Sequence, residues 1–234
     1  MIPLPKISIM ETPFVDIHTH NTETSPAGVI RIVNYGLLKE LPPTTQNAAF
    51  SYGVHPWWFD EHPESEFLER QLGLLEKMLD DNRLFAIGET GIDKIHKDTM
   101  TQQLQSFERH ILLSERYRKP LIIHNVRGTQ EILGLRKTMR PSQPWIIHGF
   151  NGSREEAIQL CGQGLYLSVG ADLLYENRKI RKSIPSIPLD HLLLETDTSA
   201  YSIQEVYQEA AASIGVPLAL LKRHLFASVG VFGL

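Results

Sequence analysis

Short runs of apolar residues alternate with longer amphipathic stretches along most of this chain. The amphipathic stretches carry apolar residues near helical spacing, whereas the short runs are typical of β-strands. Strands are predicted at residues 14–19, 29–35, 49–54, 84–88, 120–123, 145–147, 165–169 and 191–194. Helices are predicted at residues 64–81, 99–118, 129–139, 203–214 and 217–226, with shorter helical stretches beginning at residue 153 and near 172–182. This alternation predicts an α/β architecture, and a count of eight strands favours a closed, TIM-like (β/α)8 barrel.

The second predicted strand does not fit a regular barrel. A parallel crossover normally takes a dozen residues or more, most of them helical. Residues 21–28 are too few and too rich in turn formers, and residues 36–46 contain Pro42-Pro43. We therefore predict a barrel that is irregular here, with the second strand antiparallel to the first. Its apolar side chains would be partly bare, and residues 2–10 or a partner subunit would cover them. The side chains concerned are Val29, Ile30, Ile32 and Val33.

Composition narrows the class of protein. The 234 residues predict a single domain, 1–234, and 42% of them are hydrophobic, which is enough for a sizeable core. A formal charge of −4 argues against a basic surface for long nucleic acids. The single cysteine, Cys161, excludes a disulfide framework and favours a reducing compartment. With neither a signal peptide nor a long apolar run, we expect a cytoplasmic protein without a membrane span.

The first strand ends in a pair of histidines. His18 and His20 are two residues apart, so in an extended backbone both imidazoles point to the same side. Two neutral imidazoles directed at one point form half of a metal site, although such a pair also occurs as ordinary surface or core histidines. What favours the metal site is that other possible ligands follow predicted strands in the same way. These are His55, Glu89, His124, His148 and Asp197.

Active sites of barrels lie at the carboxyl ends of the strands, where these side chains would meet. Imidazoles and carboxylates together bind divalent ions such as zinc, manganese, iron or cobalt. Glu89 is the candidate to bridge two ions, because a carboxylate has two oxygens to share. Asp197 could hold one ion and accept a proton from bound water. The pattern predicts one or two divalent ions, with Zn, Mn and Mg left open, and a metal-dependent hydrolase with Glu89 and Asp197 as catalytic residues.

Three further residues are candidates for substrate contact. His55 follows the third strand and is followed by Trp57, which could stack on a base or ring or simply belong to the core. Arg127, three residues after His124, could contact a phosphate or be a solvated loop arginine. His110 and four other histidines are predicted to be non-catalytic.

Six motifs occur in a fixed order along the chain: Asp16-Ile17-His18-Thr19-His20, Tyr52-Gly53-Val54-His55-Pro56, Ala86-Ile87-Gly88-Glu89-Thr90-Gly91-Ile92-Asp93, Pro120-Leu121-Ile122-Ile123-His124, Ile147-His148-Gly149-Phe150-Asn151-Gly152 and Leu193-Leu194-Glu195-Thr196-Asp197. This set resembles the TatD family of metal-dependent deoxyribonucleases of the amidohydrolase superfamily. The resemblance implies a TIM-like barrel with one or two divalent ions. It implies that His18, His20 and Asp197 hold one ion, that His124 and His148 hold the other, and that Glu89 bridges them. It also implies that Asp197 is the general base.

The chain departs from the family pattern at the second strand and at Gly149, where the family usually has a cysteine. The expected substrate is DNA or a small phosphodiester. The alternative is an amide or lactone of a small molecule, hydrolysed on the same metal centre, and a binding protein without catalysis is a third possibility. No obligate protein partner is expected, although a homo-oligomer is possible.

Overall fold

A computed structural model describes residues 12–36 and 49–233. Eight strands form one sheet in sequential order, and each strand is parallel to the next. They are β1 Phe14–Thr19, β2 Val29–Asn34, β3 Ala49–Tyr52, β4 Leu84–Asp93, β5 Leu121–Val126, β6 Trp145–Ile147, β7 Tyr166–Val169 and β8 Leu192–Leu194. The predicted barrel is thereby confirmed, with all eight predicted strands present.

The first and last strands meet at one end of the sheet and nearly close it. Thr19 and Asp197 form a parallel bridge. The backbone nitrogen of His20 donates to the Asp197 carbonyl at 3.0 Å, and that of Asp197 donates to the His18 carbonyl at 3.0 Å. The closure therefore uses the same short segments that carry three of the predicted metal ligands.

Helices flank the strands outside the barrel. They are α1 Trp58–Glu61, α2 Phe67–Met78, α3 Met100–Tyr117, α4 Thr129–Met139, α5 Arg154–Gly162, α6 Ile180–Ser183, α7 Ile203–Ile214 and α8 Leu218–Val231. Short 3-10 segments lie at Lys94–Thr99, Ala171–Leu174 and Ile184–Ser186. Within the described ranges, no helix combines the length and the apolar character needed to cross a bilayer.

The alternation of side chains along the strands divides the core into two layers. On β5, Ile122 belongs to a cluster that also holds Ile17 and Ile146, whereas Leu121 and Ile123 belong to a larger cluster that includes helix residues. Because successive strand residues face opposite ways, one cluster fills the barrel and the other joins the sheet to its helices. The barrel floor is thus packed, and polar side chains are left for the carboxyl end.

The prediction that β2 runs antiparallel to β1 is wrong. The strands are parallel, with Phe14 opposite Val29 and Asp16 opposite Arg31. The absence of a helix in between is confirmed, because residues 20–28 contain none. An extended segment of this length spans roughly 30 Å, which exceeds the ~20 Å of a six-residue strand, so it can return to the start of the barrel without a helix. Arg31 Nη1, 3.4 Å from the Glu23 carbonyl, fastens this segment alongside β2.

The prediction of bare apolar side chains on β2 is also largely wrong. Ile32 is fully buried, Val33 and Val29 are 2% and 8% exposed, and only Ile30 is half-buried. A strand in the middle of a parallel sheet is covered on both faces, unlike the reversed and partly bare strand that was predicted. The predicted cover, residues 2–10, and most of the segment 36–46 lie outside the described residues.

Candidate metal centre

The carboxylate of Glu89 lies among five imidazoles. Its Oε2 is 3.4 Å from His18 Nε2 and 3.5 Å from His20 Nε2. Its Oε1 is 2.7 Å from His148 Nε2 and 3.3 Å from His124 Nδ1. Each carboxylate oxygen therefore faces a different group of nitrogens. Two sets of side chains have ligand atoms close enough to share an ion: His18, His20 and Glu89, and His55, Glu89 and His124.

The backbone of β4 brings Glu89 this close to β5. Gly88 and Gly91 both have a φ of +139°, a backbone conformation that residues with a side chain rarely adopt. A Cβ at Gly88 would lie 2.3 Å from the Ile122 carbonyl oxygen, and one at Gly91 would lie 2.2 Å from the His124 carbonyl oxygen. The two glycines thus allow the strands to approach while the register shifts between Ile87 and Thr90. Glu89 and His124 lie inside longer strands than predicted, not at their ends.

Asp197 completes the first set from the opposite side. Its Oδ1 is 3.7 Å from His18 Nε2 and 3.5 Å from His20 Nε2. His18 is fully buried, and neither of its ring nitrogens has a hydrogen-bond partner among the described residues. A buried imidazole without a partner is costly unless something else occupies its lone pair. This donor set of two imidazoles and two carboxylates fits a divalent transition-metal ion.

A hydrogen bond from outside the cluster fixes the orientation of His124. Its Nε2 lies 3.1 Å from Asp93 Oδ2, so Nε2 carries the proton and Nδ1 directs its lone pair towards Glu89 and His148. Asp93 Oδ2 also accepts the indole N–H of Trp57 at 2.6 Å. A carboxylate behind a histidine in this way is the usual support of a metal ligand.

His55 carries its proton on the nitrogen that faces the cluster, whereas His124 carries its proton on the nitrogen that faces away from it. The backbone nitrogen of Trp57 donates to His55 Nδ1 at 3.2 Å, so the neutral ring carries its proton on Nε2. Burial lowers the pKa of His55, which keeps the ring neutral. Its Nε2 lies 3.2 Å from both Glu89 Oε1 and His124 Nδ1, and its proton is shared between these two acceptors. His55 reaches the cluster, but as a hydrogen-bond donor and not as a free lone pair.

The charges of the cluster favour its occupation by cations. Burial acts to raise the pKa of Glu89, but the surrounding imidazoles hold it well below its usual value. Burial acts to lower the pKa of His148, but Glu89 and Glu195 raise it well above its usual value. Burial, followed by the charge of Glu195, raises the pKa of Asp197. Carboxylates that draw protons onto buried imidazoles in this way also attract metal ions, which compete with those protons.

Three acidic residues of the site went unassigned at the sequence level. Asp93 supports His124, as described above. Glu195 is fully buried, accepts the Gly149 N–H at 2.7 Å and faces His148 Nδ1 at 3.6 Å. Asp16 accepts hydrogen bonds from the backbone nitrogen and the hydroxyl of Thr196, at 2.9 and 2.7 Å, and these connect β1 to the segment after β8. Burial raises the pKa of Asp16 to about 7. Asp93 follows Glu89 by four residues, and Glu195 precedes Asp197 by two. In an extended backbone, an even spacing places two side chains on the same side, and this pattern could have identified both residues from the sequence.

The other candidates for substrate contact are in different positions. Trp57 is 49% exposed and lines a cavity of about 430 Å³ above Glu89, together with Trp58 and His55. Arg127 is exposed directly after β5, with φ of 58°, and does not line that cavity. The phosphate contact of Arg127 stays a prediction.

The family profile described as "TatD related DNase" matches residues 15–220 of this chain. The chain belongs to the TatD family. An "Uncharacterized metal-dependent hydrolase" of Haemophilus influenzae is 31% identical over 160 residues, which are 65% of this chain and 59% of that protein. The Escherichia coli K12 protein YjjV, also named a metal-dependent hydrolase, is 26% identical over 237 residues, 90% of each chain.

Solved structures of this family share the fold. The structure of Escherichia coli YjjV has a TM-score of 0.76 at 23% identity and covers 94% of this chain and 97% of its own. A TatD family hydrolase of Entamoeba histolytica has a TM-score of 0.74 at 19% identity, and the match covers 93% of this chain and 96% of that protein. The chain spans about three fifths of the length of the first curated relatives that it matches, at 59% and 62%. The resemblance read from the six motifs is therefore confirmed.

Proposed function

We propose that this protein is a metal-dependent hydrolase of phosphodiester bonds that acts on DNA or on a small phosphodiester. One observation carries the proposal: the two oxygens of Glu89 face two separate groups of imidazoles, at 3.4–3.5 Å on one side and 2.7–3.3 Å on the other. A carboxylate shared in this way is suited to bridge two divalent ions. The description of the family as a DNase supports the phosphodiester, and the names of the relatives support a metal-dependent hydrolase.

The ligand roles are those that the family resemblance implies. His18, His20 and Asp197 would hold one ion, His124 and His148 the other, and Glu89 would bridge them. Divalent ions at such a site lower the pKa of a bound water and offset the charge of a phosphoryl group. Asp197, with side-chain exposure of 39%, is the group open to accept a proton from that water.

The remaining residues would bind and orient the substrate. His55, with its proton on Nε2, can donate to a phosphate oxygen above Glu89. The exposed indole of Trp57 can pack against a sugar or base, which is one of the two roles predicted for it from the sequence. The cavity over the cluster opens to solvent through His20 and Trp57, so a chain end or a small molecule can enter it.

An assay of the purified protein tests this proposal. The protein is freed of metal, reloaded separately with Zn, Mn, Co or Mg, and offered single-stranded DNA, double-stranded DNA, a generic phosphodiester, an amide and a lactone. We expect metal-dependent release of phosphomonoesters, abolished in Glu89→Gln. Hydrolysis of the amide or lactone with no phosphodiester cleavage would establish the alternative function instead.

A further inference from the structure

A second cavity lies beside the one over Glu89. It has a volume of about 450 Å³ and is formed by the loops after β6, β7 and β8. Asp197 and Thr198 line both cavities. A ligand with its reacting bond at Asp197 would therefore extend naturally into this second space.

Two tyrosines form the outer wall of the second cavity. Tyr175 and Tyr201 are 46% and 38% exposed, and their rings meet edge to face with centroids 6.1 Å apart. Tyr175 follows the 3-10 segment Ala171–Leu174, and Tyr201 precedes α7. Exposed aromatic rings held in place at a cavity are typical of stacking platforms for nucleobases.

A single arginine is held beside these rings. Arg178 lies with its guanidinium carbon 6.0 Å from the centre of the Tyr175 ring, and its Nε is 3.2 Å from Asp172 Oδ1. Asp172 in turn accepts a hydrogen bond from Asn151 Nδ2 at 2.6 Å, so the carboxylate that holds Arg178 is itself fixed. Among the described residues, neither terminal nitrogen of Arg178 makes a hydrogen bond, and the nitrogen that faces Asp172 is Nε. A planar guanidinium presented in this way is suited to bind phosphate.

The acidic residues of the cavity restrict what can bind there. Asp172, Glu195 and Asp197 line it, and of its described lining residues Arg178 alone is cationic. An anion without a ring would bind weakly in this cavity, because the three carboxylates repel it everywhere except beside Arg178. A neutral ring with one phosphate attached fits better, with the ring against the tyrosines and the phosphate at the arginine.

We propose that this second cavity is a nucleobase subsite, in which the base next to the reacting phosphodiester stacks on Tyr175 or Tyr201 and a flanking phosphate contacts Arg178. The proposal deepens the phosphodiesterase function proposed above and rests on it. Because every base has a stacking face, the subsite would accept all four bases with weak preference. It would also distinguish nucleotides from small phosphodiesters that have no base.

Binding of two probes tests the subsite directly. Isothermal titration calorimetry on the metal-loaded protein compares deoxyadenosine 5′-monophosphate with inorganic phosphate. Stacking contributes about 1–3 kcal/mol per base, so the nucleotide should bind at least about fivefold more tightly than phosphate. The preference should fall towards unity in the double variant Tyr175→Ser, Tyr201→Ser and persist in Tyr201→Phe, which keeps the ring.

Another arginine that packs against a tyrosine, outside the cavity, supplies the control for Arg178. Arg116 lies 5.1 Å from the Tyr117 ring at the end of α3, at the opposite end of the barrel from His124. Arg178→Met should weaken nucleotide binding several-fold, whereas Arg116→Met should leave it unchanged. Equal affinity of the wild type for both probes, or a preference that survives loss of both tyrosines, would overturn the subsite.

Hydrolysis of a dinucleotide, measured separately, distinguishes this inference from the function on which it rests. If no phosphodiester is cleaved but the tyrosines still confer the nucleotide preference, the subsite stands and the proposed reaction fails. If the dinucleotide is cleaved with an unchanged KM in the double tyrosine variant and the probes bind equally, the reaction stands and the subsite fails.

Discussion

The imidazole of His110 accepts the backbone N–H of Val54 at its Nε2, 3.1 Å away. Its Nδ1 lies 2.7 Å from the Ser106 carbonyl, one turn back on α3. Val54 immediately precedes His55, so a fully buried histidine on a helix fixes the loop that carries a residue of the site. His110 was predicted to be non-catalytic, and its contacts are structural.

Acid should destabilise the protein through His110. Burial lowers its pKa from 6.5 to about 4, so the folded protein keeps the ring neutral where the unfolded chain would protonate it. The stabilising contribution is present above about pH 6.5 and is lost as the pH falls towards 4. At about 1.36 kcal/mol per pH unit, this loss is on the order of 3 kcal/mol. Urea unfolding of metal-free protein at several pH values measures it.

The variant His110→Gln isolates this contribution, because the histidines of the metal centre titrate equally in both proteins. Glutamine can still accept from Val54 but has no charged form. We expect the variant to be less stable at pH 7 and less sensitive to acid. Parallel stability curves for the two proteins between pH 7 and pH 4 would show that His110 does not carry the effect.

Glu89→Gln should remove metal while leaving the fold. An amide keeps the shape of the side chain but offers one neutral oxygen in place of two charged ones, so bridging is lost. We expect metal content by atomic emission to fall by at least one ion and hydrolysis to be abolished, with an unchanged circular dichroism spectrum. Glu108→Gln, on an exposed position of α3, is the control. Full metal content and normal activity in Glu89→Gln would reject the bridging role.

Asp93→Asn should weaken the metal centre without touching a ligand. Asp93 holds the His124 ring by its Nε2, and an amide in its place presents an N–H to that nitrogen in one of its two orientations. Loss of such support typically lowers metal affinity about 10- to 100-fold. Trp57→Phe removes the other partner of the same oxygen and should have a smaller effect. Competition with a chromogenic chelator measures the metal affinity of both variants. Equal metal affinities in the wild type and Asp93→Asn would contradict the supporting role of Asp93.

His55→Asn should separate a substrate contact from a metal ligand. Since the proton of His55 is on Nε2, its loss should leave the metal content unchanged and raise KM for a phosphodiester. Loss of an ion on the same substitution would show instead that the ring turns its lone pair to the metal. Measuring metal content and KM on one preparation decides between them.

The sequence predicted those parts of the site that depend on the strand period. His18, His20 and the strands of the barrel follow from alternation and from residue type, and α5 begins at Arg154, one residue from its predicted start. The direction of β2 could not be predicted in the same way. It depends on residues 20–28 being extended, whereas their turn-forming composition favoured a short reversal. The tautomers of His55 and His124 depend on Trp57 and Asp93, which meet them only in the folded barrel.

Gly91→Ala should damage both the fold and the metal centre. A Cβ at this position would lie 2.2 Å from the carbonyl oxygen of His124, and backbone cannot move aside as a flexible side chain can. Relief requires β4 and β5 to separate at the point where Glu89 and His124 face each other. We expect a loss of stability of about 3 kcal/mol and weaker metal binding. Gly134→Ala is the matched control, since it lies within α4 with no atom within 4 Å of the added methyl group, and should stabilise by about 0.5–1 kcal/mol. If the two variants unfold at the same urea concentration, the close approach of β4 to β5 does not depend on glycine.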